Sequence, residues 1–322
     1  MYALELAGED DAFAAREAAC AATAVNVVVP GLATARGVDA DRLRTLAYTH
    51  RASRLLGRCV AGIDAARATV NAATIDRSGT VAVRARDVRG TAGVDTRRAE
   101  RELGTALVNR GFAVNLDDPD HELRACFADD TCLLGWLLAE SVRDYGDRNP
   151  TDRPFFQPGS MAPLDARAFV NLAGAEPGAT VLDPMCGTGG TLIEAGLVGA
   201  RPIGMDAQAK MVRGARENCR TYLGDDARLC RGDATALPLA DNAVDGVVFD
   251  APYGRQSKIA RHSLSDLVSG ALAEAARVAP RAVVVADRSW RGAAEDAGWA
   301  VETIFERPVH RSLTRHVHLL ER

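Results

Sequence analysis

The feature that most constrains the fold is a rhythm in the second half of the chain. Four apolar runs, TVLD (180–183), PIGMD (202–206), ARLCRGD (227–233) and VDGVVFD (244–250), each end on an aspartate. Helical stretches at 189–199, 209–222 and 264–278 interleave with them, and AVVVA (282–286) reads as a further strand. Strands alternating with helices build a parallel sheet covered on both faces. The expectation is an α/β fold with a doubly wound sheet. Such sheets bind ligands outside the carboxyl ends of their strands, where Asp183, Asp206, Asp233 and Asp250 fall.

The first strand runs into the helix through Asp183-Pro184-Met185-Cys186-Gly187-Thr188-Gly189-Gly190. The dinucleotide fingerprint G-x-G-x-x-G fails there, because Leu192 occupies the third glycine position, and the phosphate-loop pattern is missing. A glycine-rich turn alone would fit any tight strand–helix connection. Its neighbours add chemistry. Asp206 ends the next strand, the place for a carboxylate that accepts both ribose hydroxyls. Asp233 ends the third strand, where it can accept from an adenine amino group. A nucleoside without phosphates uses these groups and needs no lysine. S-adenosylmethionine is such a molecule, and Asp183 would face its cationic methionine portion.

Asp250-Ala251-Pro252-Tyr253-Gly254 follows the fourth strand. Alone it could be a turn. In this context it is similar to the (N/D)-P-P-(Y/F) motif of amino-group methyltransferases. An exocyclic amine on a base is a poor nucleophile, since its lone pair is delocalised into the ring. A carboxylate and a proline-held carbonyl can accept its hydrogens and aim the lone pair, while an aromatic ring stacks on the base.

The front half is built differently. YALELA (2–7) and VNVVV (25–29) read as strands, with helices at 10–23 and 41–57, a β-α-β-α start. TVAVRAR (80–86) alternates as a strand with arginines on one face, 96–110 is helical, and strands fit 112–116, 122–127 and 131–138. A polar stretch with two prolines at 144–154 reads as a linker. The expected domains are 1–60 (α+β), 61–145, a linker at 146–160, and 161–322.

Net charge is −4, so nucleic-acid binding cannot be read from the total. Two acid-free basic runs stand out: Arg42, Arg44, Arg51, Arg54 and Arg58; and Arg307, Arg311 and Arg315 with His310, His316 and His318. Each could bind phosphate or be a solvated face. Only Lys210 and Lys258 are lysines, a bias that genomic composition alone can produce. The seven cysteines contain no C-x-x-C, which argues against zinc and against a disulfide framework. The longest uncharged run, 18–35, is broken by Asn26, Pro30 and Gly31, and Glu5, Glu9, Asp10 and Asp11 precede it. The expectation is a cytoplasmic, monomeric protein with no metal, export signal or membrane span.

Three longer segments carry a family resemblance: FFQPGSMAPLDARAFVNLAG (155–174), VLDPMCGTGGTLIEA (181–195) and DAPYGRQS (250–257). They resemble the archaeal tRNA guanosine-N2 methyltransferases that carry an N-terminal THUMP domain. In the front half, TVAVRARDVRG (80–90) and AERELGTALVNRGFAVNLDDPDHELRACF (99–127) resemble a THUMP core. The likeness implies a Rossmann-like class I methyltransferase domain over 161–322, a THUMP RNA-binding domain over 61–145 preceded by a ferredoxin-like unit over 1–60, tRNA as partner and guanosine 10 as target. It implies that Asp183, Cys186, Gly187, Thr188, Gly189, Asp206, Asp233 and Ala234 line S-adenosylmethionine. Asp250, Pro252 and Tyr253 would hold guanine, with Phe156, Gln157 and Ser160 as weaker candidates. One departure is Ala251, where the family usually has the first proline of D-P-P-Y.

Rival readings are a sibling acting on guanosine 6 of tRNA, an adenine-N6 methyltransferase, and a catalytically silent RNA-binding protein. His316 and His318 fit one face of a terminal strand, and Cys126, Cys132, Trp136, Trp290 and Trp299 fit packing roles.

Overall fold

In the computed structural model, which describes residues 1–253, 263–310 and 313–322, the chain divides into two units, Met1–Val142 and Arg143–Arg322. Gly254–Ser257 of the amine motif, Lys258 and Arg311 lie outside the described residues.

The first unit runs β1 (Tyr2–Leu6), α1 (Asp11–Ala18), β2 (Ala22–Thr23), β3 (Asn26–Val29), β4 (Leu32–Ala35), β5 (Gly37–Val38), α2 (Ala40–Leu43), β6 (Thr49–Val60), α3 (Ile63–Ala72), β7 (Thr80–Asp87), α4 (Thr96–Val108), β8 (Ala113–Val114), β9 (His121–Ala128) and β10 (Thr131–Glu140). Eight strands form one sheet in the order β3-β4-β1-β6-β10-β9-β7-β8. Asp10 caps α1 by accepting from the Phe13 amide at 3.0 Å, and Asp95 caps α4 through the Arg98 amide at 3.0 Å. Helix α4 buries Ala99, Leu103, Ala106 and Leu107, one stripe at helical spacing, against Leu123, Phe127 and Leu134 of the sheet.

The helix expected at 41–57 does not form. Helix α2 ends at Leu43, and residues 49–60 become the long strand β6. Leu43, Leu46, Ala47 and Leu55 imitate a helical stripe, but the amides of Ala47 and Tyr48 donate to the buried Glu17 carboxylate at 2.7 and 2.6 Å. That fixes a corner, and β6 then pairs antiparallel with both β1 and β10. Tertiary pairing overrides local period here. The start of the chain is therefore β-α-β-β, and one sheet runs through both sides of residue 60.

The second unit continues with α5 (Pro163–Leu172), β11 (Thr180–Asp183), α6 (Gly190–Val198), β12 (Arg201–Asp206), α7 (Ala209–Leu223), β13 (Arg228–Arg231), β14 (Gly246–Asp250), α8 (Leu264–Val278), β15 (Arg281–Ala286), α9 (Arg291–Asp296), β16 (Ala300–His310) and β17 (Leu313–Glu321). Strand order is β13-β12-β11-β14-β15-β17-β16. The first five strands are mutually parallel, and β17 inserts antiparallel between β15 and β16. Helix α8 covers Leu182, Val247, Phe249 and Val284 on one face. Helix α6 packs between α5 and α7 and shares a second core of Cys186, Leu192, Ile193, Ala215 and Cys219. This is the doubly wound, Rossmann-like arrangement, extended by one antiparallel pair.

The stretch expected as a linker is not a free connection. Arg148 donates from Nε to Glu194 of α6 at 2.8 Å, and Arg167 meets the other Glu194 oxygen at 2.8 Å. Both guanidinium groups lie over the Tyr145 ring, 5.6 and 5.9 Å from its centroid. Residues 143–153 strap the second unit because burying Glu194 requires its charge to be matched.

Candidate active site

Strand order reverses between β11 and β14, so a crevice opens at their carboxyl ends. Asp183, Asp206 and Asp250 are the last residues of β11, β12 and β14. Asp233 stands two residues beyond β13 and closes its own turn by accepting from the Thr235 amide at 3.0 Å and hydroxyl at 2.8 Å.

Asp183 is buried. One oxygen accepts from the Met185 amide at 2.9 Å and the other from the Thr191 hydroxyl. Burial pushes its carboxyl up to about 7, helped by the charges of Asp206 and Asp250. Its carboxylate thus braces the glycine-rich turn from behind. Asp206 is half-buried and accepts from Gly187 N at 3.1 Å and from Gln208 N at 2.8 Å. Desolvation raises it, against the pull of those two amides.

The turn itself depends on glycine. Gly189 sits at φ +81°, and a Cβ there would lie 3.2 Å from Ala215 Cβ and 3.3 Å from Cys219 Sγ, so a side chain would be strained in its backbone and crowded by α7. The Cys186 amide donates to the Met205 carbonyl at 2.9 Å, and burial pushes the Cys186 thiol well up, which keeps it protonated. Thr188 is buried, its hydroxyl 3.1 Å from that of Ser160, and its carbonyl accepts from Asn218 at 2.9 Å. Asn218 also holds the Phe155 backbone by two bonds of 2.7 and 2.8 Å. Ser160 is thereby brought to the turn. Phe156 is exposed, and the Gln157 amide is spent on the Phe156 carbonyl. Ala234 is buried in the core under α8.

Asp250, Pro252 and Tyr253 are each half-buried, and Ala251 is buried. The Tyr253 phenol donates to Asp250. Desolvation raises Asp250 to about 6, opposed by the Arg315 guanidinium and by the Tyr253 hydrogen bond. Burial beside that carboxylate holds the Tyr253 phenol above its usual range. Arg307 and Arg315, read as part of a basic surface run, instead face Asp165 of α5 at 3.2 and 3.5 Å. His318 is a core residue, its ring 3.0 Å from the Val284 carbonyl and accepting from the Trp290 amide at 2.9 Å. Sequence reasoning passed over Asp165, Thr191 and Asn218, and took Arg315 only as part of a basic run. Asp165 stood inside a segment already singled out for its resemblance, which was the available signal.

The arrangement fits a nucleoside bearing a sulfonium. It offers a carboxylate at the second strand, a bare backbone turn at the first, and three carboxylates raised by burial that a cation would favour. Among the described residues, no group of three or more His, Cys, Asp or Glu is placed to hold a metal ion, and no helix is long and apolar enough to cross a membrane.

Comparison with known proteins agrees with this geometry. Residues 150–316 match the model of the RMKL-like methyltransferase domain. A tRNA (guanine(10)-N2)-dimethyltransferase of Methanothermobacter thermautotrophicus is 36% identical over 87% of this chain and 84% of its own length. The protein of that name from Methanocaldococcus jannaschii is 32% identical over 79% and 74%. The crystal structure of SMU.472, described as a methyltransferase complexed with SAH, is alike in fold, with a TM-score of 0.52 at 15% identity over 99% of this chain and 97% of that one. By its sheet, its strand-end carboxylates and these relatives, the chain belongs to the family of archaeal tRNA (guanine(10)-N2)-dimethyltransferases, with an RMKL-like methyltransferase domain.

Proposed function

We propose that the protein transfers methyl groups from S-adenosylmethionine to the exocyclic N2 of guanosine 10 in tRNA, giving N2-methylguanosine and then N2,N2-dimethylguanosine. The observation that carries this is Asp250 at the end of β14, with Pro252 and Tyr253 beside it and the glycine-rich turn at the neighbouring strand.

When bound, the cofactor supplies an electrophilic methyl on a sulfonium. Asp206 accepts the ribose hydroxyls and Asp233 the adenine amino hydrogen, with Ala234 against the base. Cys186, Gly187, Thr188 and Gly189 present backbone to the methionine portion, and Asp183 holds that turn while its charge faces the cation. Asp250 accepts an N–H of guanine N2, fixes the lone pair towards the methyl and stabilises the positive charge that develops on nitrogen. Its carboxylate is also the nearest acceptor for the proton that the methylated nitrogen must shed. The Pro252 segment shapes the wall, and the Tyr253 ring stacks on the base. After one transfer an N–H remains, so the same contact serves the second. The first unit acts as the THUMP module that grips tRNA.

The test is to incubate the full chain with labelled cofactor and tRNA transcripts and map the modified nucleotide by mass spectrometry. Label as one and two methyls on N2 of guanosine 10 is expected. Label on guanosine 6 or on adenine N6 would refute the assignment.

A further inference from the structure

Strand β17 places Arg315 where three other elements converge. Its side chain is 8% exposed. Nε donates to the Tyr253 phenol oxygen at 3.3 Å, Nη1 reaches Asp165 of α5 at 3.5 Å, and Nη2 lies 3.9 Å from Asp250 Oδ2. Asp165 is shared with Arg307 of β16 at 3.2 Å. Two guanidinium groups and two carboxylates thus alternate around the amine-binding loop, with no net charge among them.

We propose that Arg315 is a positioning residue of the reaction: it keeps the Asp250 carboxylate ionised and oriented for the target amine, and Asp165 sets how strongly it does so. This rests on the amine-methylation reading above.

The physical case is a competition. The end of β14 is poorly solvated, which favours the neutral acid. A protonated Asp250 would present an O–H to an amine that itself donates, so two hydrogens would face each other. An opposite charge within about 4–6 Å offsets desolvation by roughly one to three pH units. At 3.9 Å from Oδ2, Arg315 is close enough for that effect and too far to occupy it as a hydrogen-bond donor, so Oδ2 keeps room for the substrate while the Tyr253 phenol holds Oδ1. Asp165 acts in the other sense, by repelling Asp250 and by drawing on the same guanidinium. Among the described residues, the charged and titratable groups facing Asp250 are Arg315 from β17, Asp165 from α5 with Arg307 of β16 behind it, Asp183 from β11, and Tyr253 from its own loop.

The experiment follows Asp250 directly. The full chain is labelled with 13C-carboxyl aspartate, and the Asp250 resonance is assigned by its loss in Asp250→Asn. Its titration midpoint is then read in the wild type, in Arg315→Gln and in Asp165→Asn. The midpoint should rise by about one unit or more in Arg315→Gln and fall in Asp165→Asn. The acid limb of single-turnover methyl transfer should move with it in both variants, with cofactor affinity within a few-fold of wild type. Arg315→Lys should restore most of the wild-type midpoint. A merely structural role would lower the rate by one factor at every pH and leave the midpoints in place, which would overturn the proposal. Should Arg315→Gln not fold, the opposite shift in Asp165→Asn still decides. Midpoints that move as expected with no methyl on guanine N2 would instead refute the functional reading.

Discussion

At Asp250, charge can be removed with little change of shape. Asp250→Asn keeps an oxygen for the amine but loses the negative charge and turns an NH₂ towards an NH₂. Turnover should fall by about 10²–10³ while cofactor and tRNA affinities stay near wild type, the range for one preorganised electrostatic partner. Single-turnover kinetics beside equilibrium binding checks this, and a rate within a few-fold of wild type would make Asp250 a turn residue. Asp206→Ala removes the acceptor assigned to two ribose hydroxyls, each hydrogen bond to a charged group being worth about 1.5–3 kcal/mol. Calorimetry should show cofactor affinity at least tenfold weaker, and unchanged affinity in a folded variant would refute the ribose assignment. The strand-end positions of both residues were legible in the sequence because each closes an apolar run in a repeated pattern. Asp165 and Arg315 were not, since they stand 150 residues apart and the basic run around Arg315 suggested a surface. A charge pair of that separation becomes visible only once the strand order is fixed.

Element by element, the parallel strands and their helices match the alternation of the sequence to within about two residues, because buried strands and amphipathic helices declare themselves locally. Strand β6 did not, because its neighbours β1 and β10 and the Glu17 carboxylate decide its conformation. The 143–153 strap reads as a linker by composition, yet Arg148 is 4% exposed and Glu194 fully buried. Proline and polar residues mark an absence of α-helix and strand there, and two short 3-10 turns, Tyr145–Arg148 and Pro150–Asp152, bring Arg148 into an ion pair with the buried Glu194 carboxylate instead. Removing one partner of such a pair leaves a buried charge unmatched, at about 3–5 kcal/mol. Glu194→Ala should lose stability of that order in denaturant unfolding, because two buried guanidinium groups lose a shared carboxylate, although Arg148 keeps Asp144. A loss below about 1 kcal/mol would mean that water replaces the carboxylate.

The molecule as a whole carries a pH signature from its active site. Asp183 and Asp250 titrate at about 7 and about 6, both above the ordinary aspartate value of 3.8, and Asp206 is raised as well. These three groups therefore bind more protons in the folded state than in the unfolded chain between about pH 4 and 7, so their share of the unfolding free energy should fall as pH rises through that window. The buried His318 ring, held below its ordinary value, acts in the opposite sense there. Glu5, held low by Arg124 despite its burial, acts in the opposite sense and is lost only at more acid pH. Urea unfolding at pH 5 and pH 8 tests the sign. Asp183→Asn should flatten the decline, and an equal slope in wild type and variant would refute the assignment. The sheet order also bears on the sequence of synthesis. Strand β16 touches the sheet only through β17, which follows it in the chain. A nascent polypeptide can complete all four strand-end aspartates while Arg315 has yet to be translated. Such a chain would possess the groups assigned to the cofactor but lack the cation beside Asp250. On the reading proposed above, competence would thus arrive only with β17, since a chain that stopped before it would lack the cation that readies Asp250 for the amine.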